Sequence, residues 1–371
     1  MFWSGNIALA EGALKAGCNF YAGYPITPSS DLMEYMAREM PKRGGVFIQA
    51  EDEIAAINMI IGASIAGSKA MTATSGPGFS LMQEGIGYAV MVEVPIVIVN
   101  VMRLGPATGQ ATKAGQGDIM QARWGRHGDQ YTIVLCPSSV KECYYLMIHA
   151  FNFSEEIRVP VIVVVDELIA HLWESVYITE DIPIKERKWA TSTEMPPFGG
   201  DKYDVTPMYP LGRGFHVLYT GSTHDYWGFR KTQDPKVHKE LVTRFKRKVV
   251  SRLDDVFIYK EYFREDRYDI GYIVYGSVFR PTLEAAYKLR EKRLKVGILK
   301  LNTLWPLNYD VIGEFCNKAK IVIVPELNLG QLILDVYMVK ERENVFGYNK
   351  VGGGEPIYPE ELYDFSLKVM K

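Results

Sequence analysis

Along the first half of the chain, short runs of consecutive apolar residues alternate with stretches of helical spacing, and the repeated unit is strand, turn, helix. The pattern predicts strands at 20–24, 46–50, 69–74, 95–101, 132–136 and 160–166. Such alternation implies a parallel sheet wrapped by helices, a doubly wound α/β fold. Pro95-Ile96-Val97-Ile98-Val99-Asn100-Val101 is nearly all apolar, as a central strand covered on both faces should be. From 177 to 230 the rhythm breaks, with Pro183, Pro196, Pro197, Gly199, Gly200, Pro207 and Pro210 spread through an ordered but irregular connector. Residues 235–262 are charged with helical spacing. Ile273-Val274-Tyr275-Gly276, a helix near 281–293, Val296 to Leu301 and Ile321-Val322-Ile323-Val324 then restart the α/β rhythm as a second, smaller domain. The expected division is a first domain over 1–176, connector and helix over 177–262, and a second domain over 263–371.

A length of 371 residues is ample for two cores. With 47% hydrophobic and 23% charged residues and a net charge of -2, nothing in the composition points to nucleic acid. The cluster Arg244-Phe245-Lys246-Arg247-Lys248 reads as a solvated helix face. Four scattered cysteines, Cys18, Cys136, Cys143 and Cys316, form no CxxC pair and are expected to be reduced thiols. No apolar run approaches the roughly 20 residues needed to span a bilayer, and Met1-Phe2-Trp3 opens no signal sequence, so a cytoplasmic protein is expected.

The candidate chemistry follows the strands. Tyr24-Pro25-Ile26-Thr27-Pro28-Ser29-Ser30 stands where the first strand should hand over to a helix. Its prolines take the chain abruptly out of the sheet, and Ser30 is placed to cap a helix carrying Leu32, Met33 and Met36. That puts Thr27 at the carboxyl edge of a sheet, where open α/β folds bind ligands. Glu51 and Glu53 follow the second strand, Ser75-Gly76-Pro77-Gly78 the third and Arg103 the fourth. Taken singly, the glutamates could be helix-dipole partners, the SGPG turn a plain corner and Arg103 a surface ion-pair partner. Together they meet at one edge, where the turn lets a ligand approach the backbone and Arg103 can bind a carboxylate. The loop Leu104 to Lys113, rich in small and hydroxyl-bearing residues, can wrap a small polar substrate. His127, with no visible partner, reads as structural rather than catalytic.

At these residues the chain resembles the alpha subunit of 2-oxoacid:ferredoxin oxidoreductases, thiamine-diphosphate enzymes that convert 2-oxoacids to acyl-CoA and pass electrons to ferredoxin. The resemblance is carried by YPITPSS at 24–30, by Glu53 with Ala56 and Gly62, by Thr72-Ala73-Thr74-Ser75-Gly76-Pro77-Gly78, by the Arg103 to Thr112 loop and by Glu326-Leu327-Asn328-Leu329-Gly330-Gln331. It implies a pyrimidine-binding first domain and a transketolase C-terminal-like second domain. It also implies that Glu53, with Glu51 as the alternative, hydrogen-bonds the cofactor's pyrimidine beside Ser75 and Gly76. Thr27 and Arg103 would hold the 2-oxoacid, and Thr108 and Thr112 would line its pocket. Ala107 and Gln110-Ala111 depart from the family's commoner residues.

The chain lacks a GDG segment with a downstream asparagine pair, and it lacks cysteine clusters. The resemblance therefore assigns diphosphate, Mg2+ and iron-sulfur cluster to a beta subunit, with gamma and ferredoxin-like delta subunits beside it. Coenzyme A enters as substrate and ferredoxin as electron acceptor. Among 2-oxoacids, 2-oxoglutarate is expected first, branched-chain acids second and pyruvate third. Competing readings are a lipoamide-linked dehydrogenase subunit, a catalytically silent assembly subunit and a mononucleotide-binding module, the last without a GxGxxG or GKS/GKT motif.

Overall fold

The structure is a computed structural model that describes residues 1–199 and 204–371; Gly200 of the expected connector lies outside the described residues. The strands of the first half are β1 (Phe2–Ser4), β2 (Phe20–Gly23), β3 (Val46–Gln49), β4 (Ala70–Thr74), β5 (Val97–Leu104), β6 (Gln110–Ala114), β7 (Ile133–Leu135), β8 (Val161–Asp166) and β9 (Trp173–Ser175). The remainder are β10 (Tyr259–Tyr262), β11 (Tyr268–Val274), β12 (Val296–Leu301), β13 (Thr303–Trp305), β14 (Ala319–Glu326) and β15 (Val345–Asn349).

The first sheet runs β13-β7-β8-β5-β4-β2-β3, with β6 folded back on β5. From β7 to β3 all neighbours are parallel. The chain steps outward from β2 to β3 and then crosses back to β4, so the order reverses between β2 and β4. Their carboxyl ends open a crevice there, the usual ligand position in such sheets. Val97, Ile98, Val99 and Val101 are fully buried, which explains an apolar run interrupted only by the equally buried Asn100. Each such apolar side chain contributes about 1.5–3 kcal/mol on burial. The second sheet, β10-β12-β11-β14-β15, is parallel except for the edge strand β10. β10 was not foreseen: the charged stretch 235–262 forms helices Pro235–Val250 and Leu253–Val256 and then this strand.

The helix after β2 departs from expectation at its start. Ser30 is its first helical residue and Ser29 stands at the cap position without a side-chain cap. The Ser29 hydroxyl instead donates to the Ile26 carbonyl at 2.9 Å, closing the YPITPSS turn on itself. The helices Glu53–Ile65 and Val140–Ile157 start conventionally, with Asp52 and Ser139 accepting backbone N–H groups.

The irregular connector is fastened by buried charge, which corrects the expectation of a solvated face at 244–248. Arg244 and Lys248 point inward onto Glu93, at 2.6 Å and 2.9 Å. Only Lys246 of that cluster is exposed, with Arg247 half-buried. Burial alone would raise the Glu93 carboxyl, but Arg244 and Lys248, with Arg158 behind them, hold it well below the usual carboxylate range. Arg158 also donates to the carbonyls of Pro197 and Thr206, and Arg187 pairs with Glu155 at 2.5 Å. Sequence pattern could not separate this from a surface helix, because the partner lies more than a hundred residues away.

The two sheets are joined rather than merely neighbouring. β13, from the second half, pairs antiparallel with β7 and ends the first sheet. Beside it runs a polar seam. Gln116 donates from its side chain to Asp166 at 3.0 Å, its backbone N–H donates to the Leu327 carbonyl and its Oε1 accepts from Leu327 N, while Asp166 also accepts from Ser277 N at 2.9 Å. Gly276, at φ 60°, has no room for a Cβ beside Asp166 and Gln116. Among the described residues no helix is long and apolar enough to cross a membrane.

Replacing Glu93 with Ala should strand Arg244 and Lys248 as unpaired buried cations. A loss of about 3–5 kcal/mol in urea unfolding is expected, and a loss below about 1 kcal/mol would mean that the cluster adds little beyond a surface pair.

Candidate active site

Glu53 is the first residue of the helix that follows β3, and its side chain turns inward to 5% exposure. The space it occupies exists because residue 78 is glycine: a Cβ there would overlap the Glu53 carboxyl and the Thr74 hydroxyl. Burial raises the Glu53 pKa, opposed by its own backbone N–H and reinforced by the Asp52 charge. Glu51, the other candidate, is exposed. The SGPG turn therefore supplies the close approach that the carboxyl needs, with Pro77 and Gly78 opening the helix Gly76–Leu81.

Arg103, near the end of β5, is 6% exposed and donates from Nη1 to the Thr27 carbonyl at 2.6 Å. The next carbonyl, that of Pro28, accepts from buried Asn6 at 3.0 Å. Two side chains from different elements thus pin the YPITPSS turn. The Thr27 side chain is exposed, and its hydroxyl makes none of these contacts. Burial lowers the Arg103 pKa, opposed by the Asp118 charge. Thr74 Oγ1, Ser75 Oγ, Asn100 Oδ1 and Arg103 Nε are buried without a hydrogen-bond partner. Unmatched buried polar atoms are costly, so their grouping at one sheet edge marks a place for polar ligand atoms.

A cleft of about 400 Å³ opens at this edge. Gly76, Pro77, Arg103 and Asp118 line its floor side, and Leu327, Asn328 and Gln331 come from the loop after β14. Glu326, fully buried beneath that loop, fixes its shape by accepting from Tyr275 OH at 2.9 Å and Leu332 N at 2.9 Å. Leu104 to Ala107 complete one wall. Of the expected site residues, Gly76 and Arg103 line the cleft; Glu53, Ser75 and Thr27 do not, Glu53 lying behind the SGPG turn, and Thr108 and Thr112 lie exposed on the β5–β6 hairpin, also outside the lining. His127 does not fit the structural reading: its side chain is 84% exposed, 3.6 Å from Glu84. Asp118 escaped sequence reasoning. It follows β6 in a stretch without strand or helix signal, and it reaches the site through tertiary contact with Asn100 at 2.9 Å.

Residues 11–244 match the family described as pyruvate flavodoxin/ferredoxin oxidoreductase, thiamine diphosphate-binding, and residues 269–362 match the pyruvate:ferredoxin oxidoreductase core domain II. The chain is 47% identical to the 2-oxoglutarate synthase subunit KorA of Methanocaldococcus jannaschii, over 97% of each chain. A solved structure of 2-oxoglutarate:ferredoxin oxidoreductase from Magnetococcus marinus, with 2-oxoglutarate, coenzyme A and succinyl-CoA bound, superposes with a TM-score of 0.95 at 34% identity. It covers 100% of this chain and 65% of that longer one. A split-gene transketolase, solved as an inactive beta4 tetramer, shares the fold at a TM-score of 0.56 and 14% identity, over 99% and 96% of the two chains. A buried carboxyl with a raised pKa, a glycine that makes room for it and unmatched donors beside it suit an aminopyrimidine ring with its ring nitrogens. With the fold, the crevice and these matches in agreement, the chain belongs to the thiamine-diphosphate-dependent 2-oxoacid:ferredoxin oxidoreductase family, as an alpha-type subunit of a multi-subunit enzyme.

Proposed function

We propose that this chain supplies the pyrimidine-side half of an active site that converts 2-oxoglutarate and coenzyme A to succinyl-CoA and CO2. The electron pair passes to ferredoxin, and the reaction is reversible in principle. The observation that carries the reading is that a buried glutamate with a raised pKa and an arginine whose Nε has no partner both lie against one Ser75-Gly76-Pro77-Gly78 turn.

When bound, thiamine diphosphate supplies the carbon nucleophile and electron sink for decarboxylation. Glu53, Ser75 and Gly76 are the residues proposed to hold its pyrimidine end. Burial raises the Glu53 pKa, which favours the protonated carboxyl that can donate to a ring nitrogen. Arg103 anchors the substrate carboxylate by a charge-assisted hydrogen bond, and Thr27, whose carbonyl Arg103 already holds, is set beside it. Thr108 and Thr112 reach the substrate only if the hairpin they sit on folds over it. Mg2+, the diphosphate contacts and the iron-sulfur cluster are assigned to a beta subunit, with gamma and delta subunits completing a cytoplasmic complex. Branched-chain 2-oxoacids and pyruvate are the alternatives in substrate.

The test is an anaerobic assay of the purified complex for CoA-dependent viologen reduction over a panel of 2-oxoacids. Preference for 2-oxoglutarate is expected, and no reduction by an intact, cofactor-loaded complex would favour a silent or lipoamide-linked subunit. In that assay Glu53→Gln should cost about 10²-fold or more in kcat without disturbing assembly. Arg103→Ala should raise the oxoacid KM by about tenfold to a hundredfold; unchanged constants would remove Arg103 from the site. Gly78→Ala should push the Glu53 carboxyl out of place and cost about 1–3 kcal/mol of stability, so wild-type stability together with a wild-type rate would show that the close approach is dispensable.

A further inference from the structure

We propose that Asp118 is a second substrate-binding side chain of the cleft, and that it carries a proton whenever a 2-oxoacid is held by Arg103, so that substrate binding takes up a proton. The inference rests on the reading of Arg103 as the carboxylate anchor.

Three observations lead there. First, Asp118 stands at the cap position of the helix Ile119–Trp124, where an aspartate ordinarily folds back onto the backbone, yet it makes no side-chain cap. The N–H of Met120 is satisfied instead by Gln331 Oε1 from the second domain, at 2.8 Å. The local structural role is filled by another residue, and the aspartate is released from it. Second, its carboxyl turns toward the site. Oδ2 accepts from Asn100 Nδ2 at 2.9 Å in the middle of β5, while among the described residues no side chain or backbone group donates to Oδ1. Third, of the side chains that line the cleft, Arg103 and Asp118 are the ionisable ones. Neighbouring Ser80, Gln121, Asn328 and Gln331 are neutral.

An ionised Asp118 would compete with the substrate for Arg103 and repel a dianionic 2-oxoacid. Protonated, it becomes a hydrogen-bond donor to the same carboxylate. The site already leans toward that state: burial raises the Asp118 pKa, although Asn100 and Arg103 pull the other way. A bound anion raises it further. The sign follows: affinity is full below the Asp118 pKa of the free site, falls as pH rises from there, and is lost by the pKa of the bound state.

The experiment measures KM for 2-oxoglutarate from about pH 6 to 9 in the whole complex, with wild type, Asp118→Asn and Asp118→Ala. Wild-type KM should climb with pH, toward tenfold per unit once Asp118 ionises. Asp118→Asn, permanently neutral and still a donor, should hold a low KM with that slope removed. Asp118→Ala should raise KM about tenfold at the low end and also flatten the profile. A wild-type slope retained by Asp118→Asn, or an unchanged KM in Asp118→Ala, overturns the inference. So does a loss confined to kcat. If the wild-type complex reduces no acceptor with any 2-oxoacid, the functional reading fails and takes this inference with it; an active wild type with unaltered variants sinks the inference alone.

Discussion

The geometry of the cleft depends on the buried polar seam between the two sheets. Asp166 is fully buried and meets only neutral donors: the amide of Gln116, the backbone of Ser277 and, at 3.2 Å, the backbone of Ile169. Burial raises its pKa and these donors lower it, leaving a net rise. Gln116 spends its other atoms on the backbone of Leu327, and its own carbonyl accepts from Asn328 at 2.8 Å. One glutamine, two places before Asp118, thus ties the position of the second domain to Asp166 and to the segment that carries Asp118. A buried network of this kind is worth keeping only when fully satisfied, which explains why Gly276 lacks a side chain where one would intrude. The loop 327–331 can wall the site because the seam leaves it one place to be.

Charge is used differently on the two sides of the molecule. Around Glu93 it is neutralised in place: one carboxylate faces two cations within 3 Å, all three buried, and the result fastens an irregular segment. At the crevice it is left unfinished. Arg103 spends a nitrogen on Thr27 and keeps Nε without a partner, and Glu53 is desolvated with no ion pair among the described residues. The contrast separates a structural cluster from a ligand site more clearly than residue type does, since both contain arginine and glutamate.

How much was legible in the sequence follows from the same distinction. The central strands of the first sheet were readable because burial on both faces writes a nearly continuous apolar run, as in Val97 to Val101 with its one Asn100. YPITPSS was readable because prolines and hydroxyls at fixed spacing have few structural uses. The direction in which Arg244 and Lys248 point was not readable, since a helical charge cluster has the same pattern whether it meets water or Glu93. Ser30 was misplaced by one residue because it is already the first helical residue, and Ser29 at the cap position donates its hydroxyl to the Ile26 carbonyl and accepts no helix N–H. Glu53 and Glu51 looked alike in sequence, yet Glu51 stays exposed before the helix while Glu53 opens it and turns into the room left by Gly78, twenty-five positions on. Asp118 was invisible, since its meaning depends on Gln331 having taken its capping role.

The pairing of β13 with β7 has a consequence for how the chain comes off the ribosome. The outer edge of β7 keeps its hydrogen-bonding groups open until residues 303–305 have been made, long after the other strands of that sheet are complete. An unpaired edge is a template for wrong partners. The nascent protein must therefore carry a nearly finished sheet with one raw margin through more than a hundred further residues of synthesis. A truncation before residue 303 would lose more than the second domain. It would leave the first with an adhesive border, and association between copies, rather than simple loss of activity, is the fate such a fragment should meet.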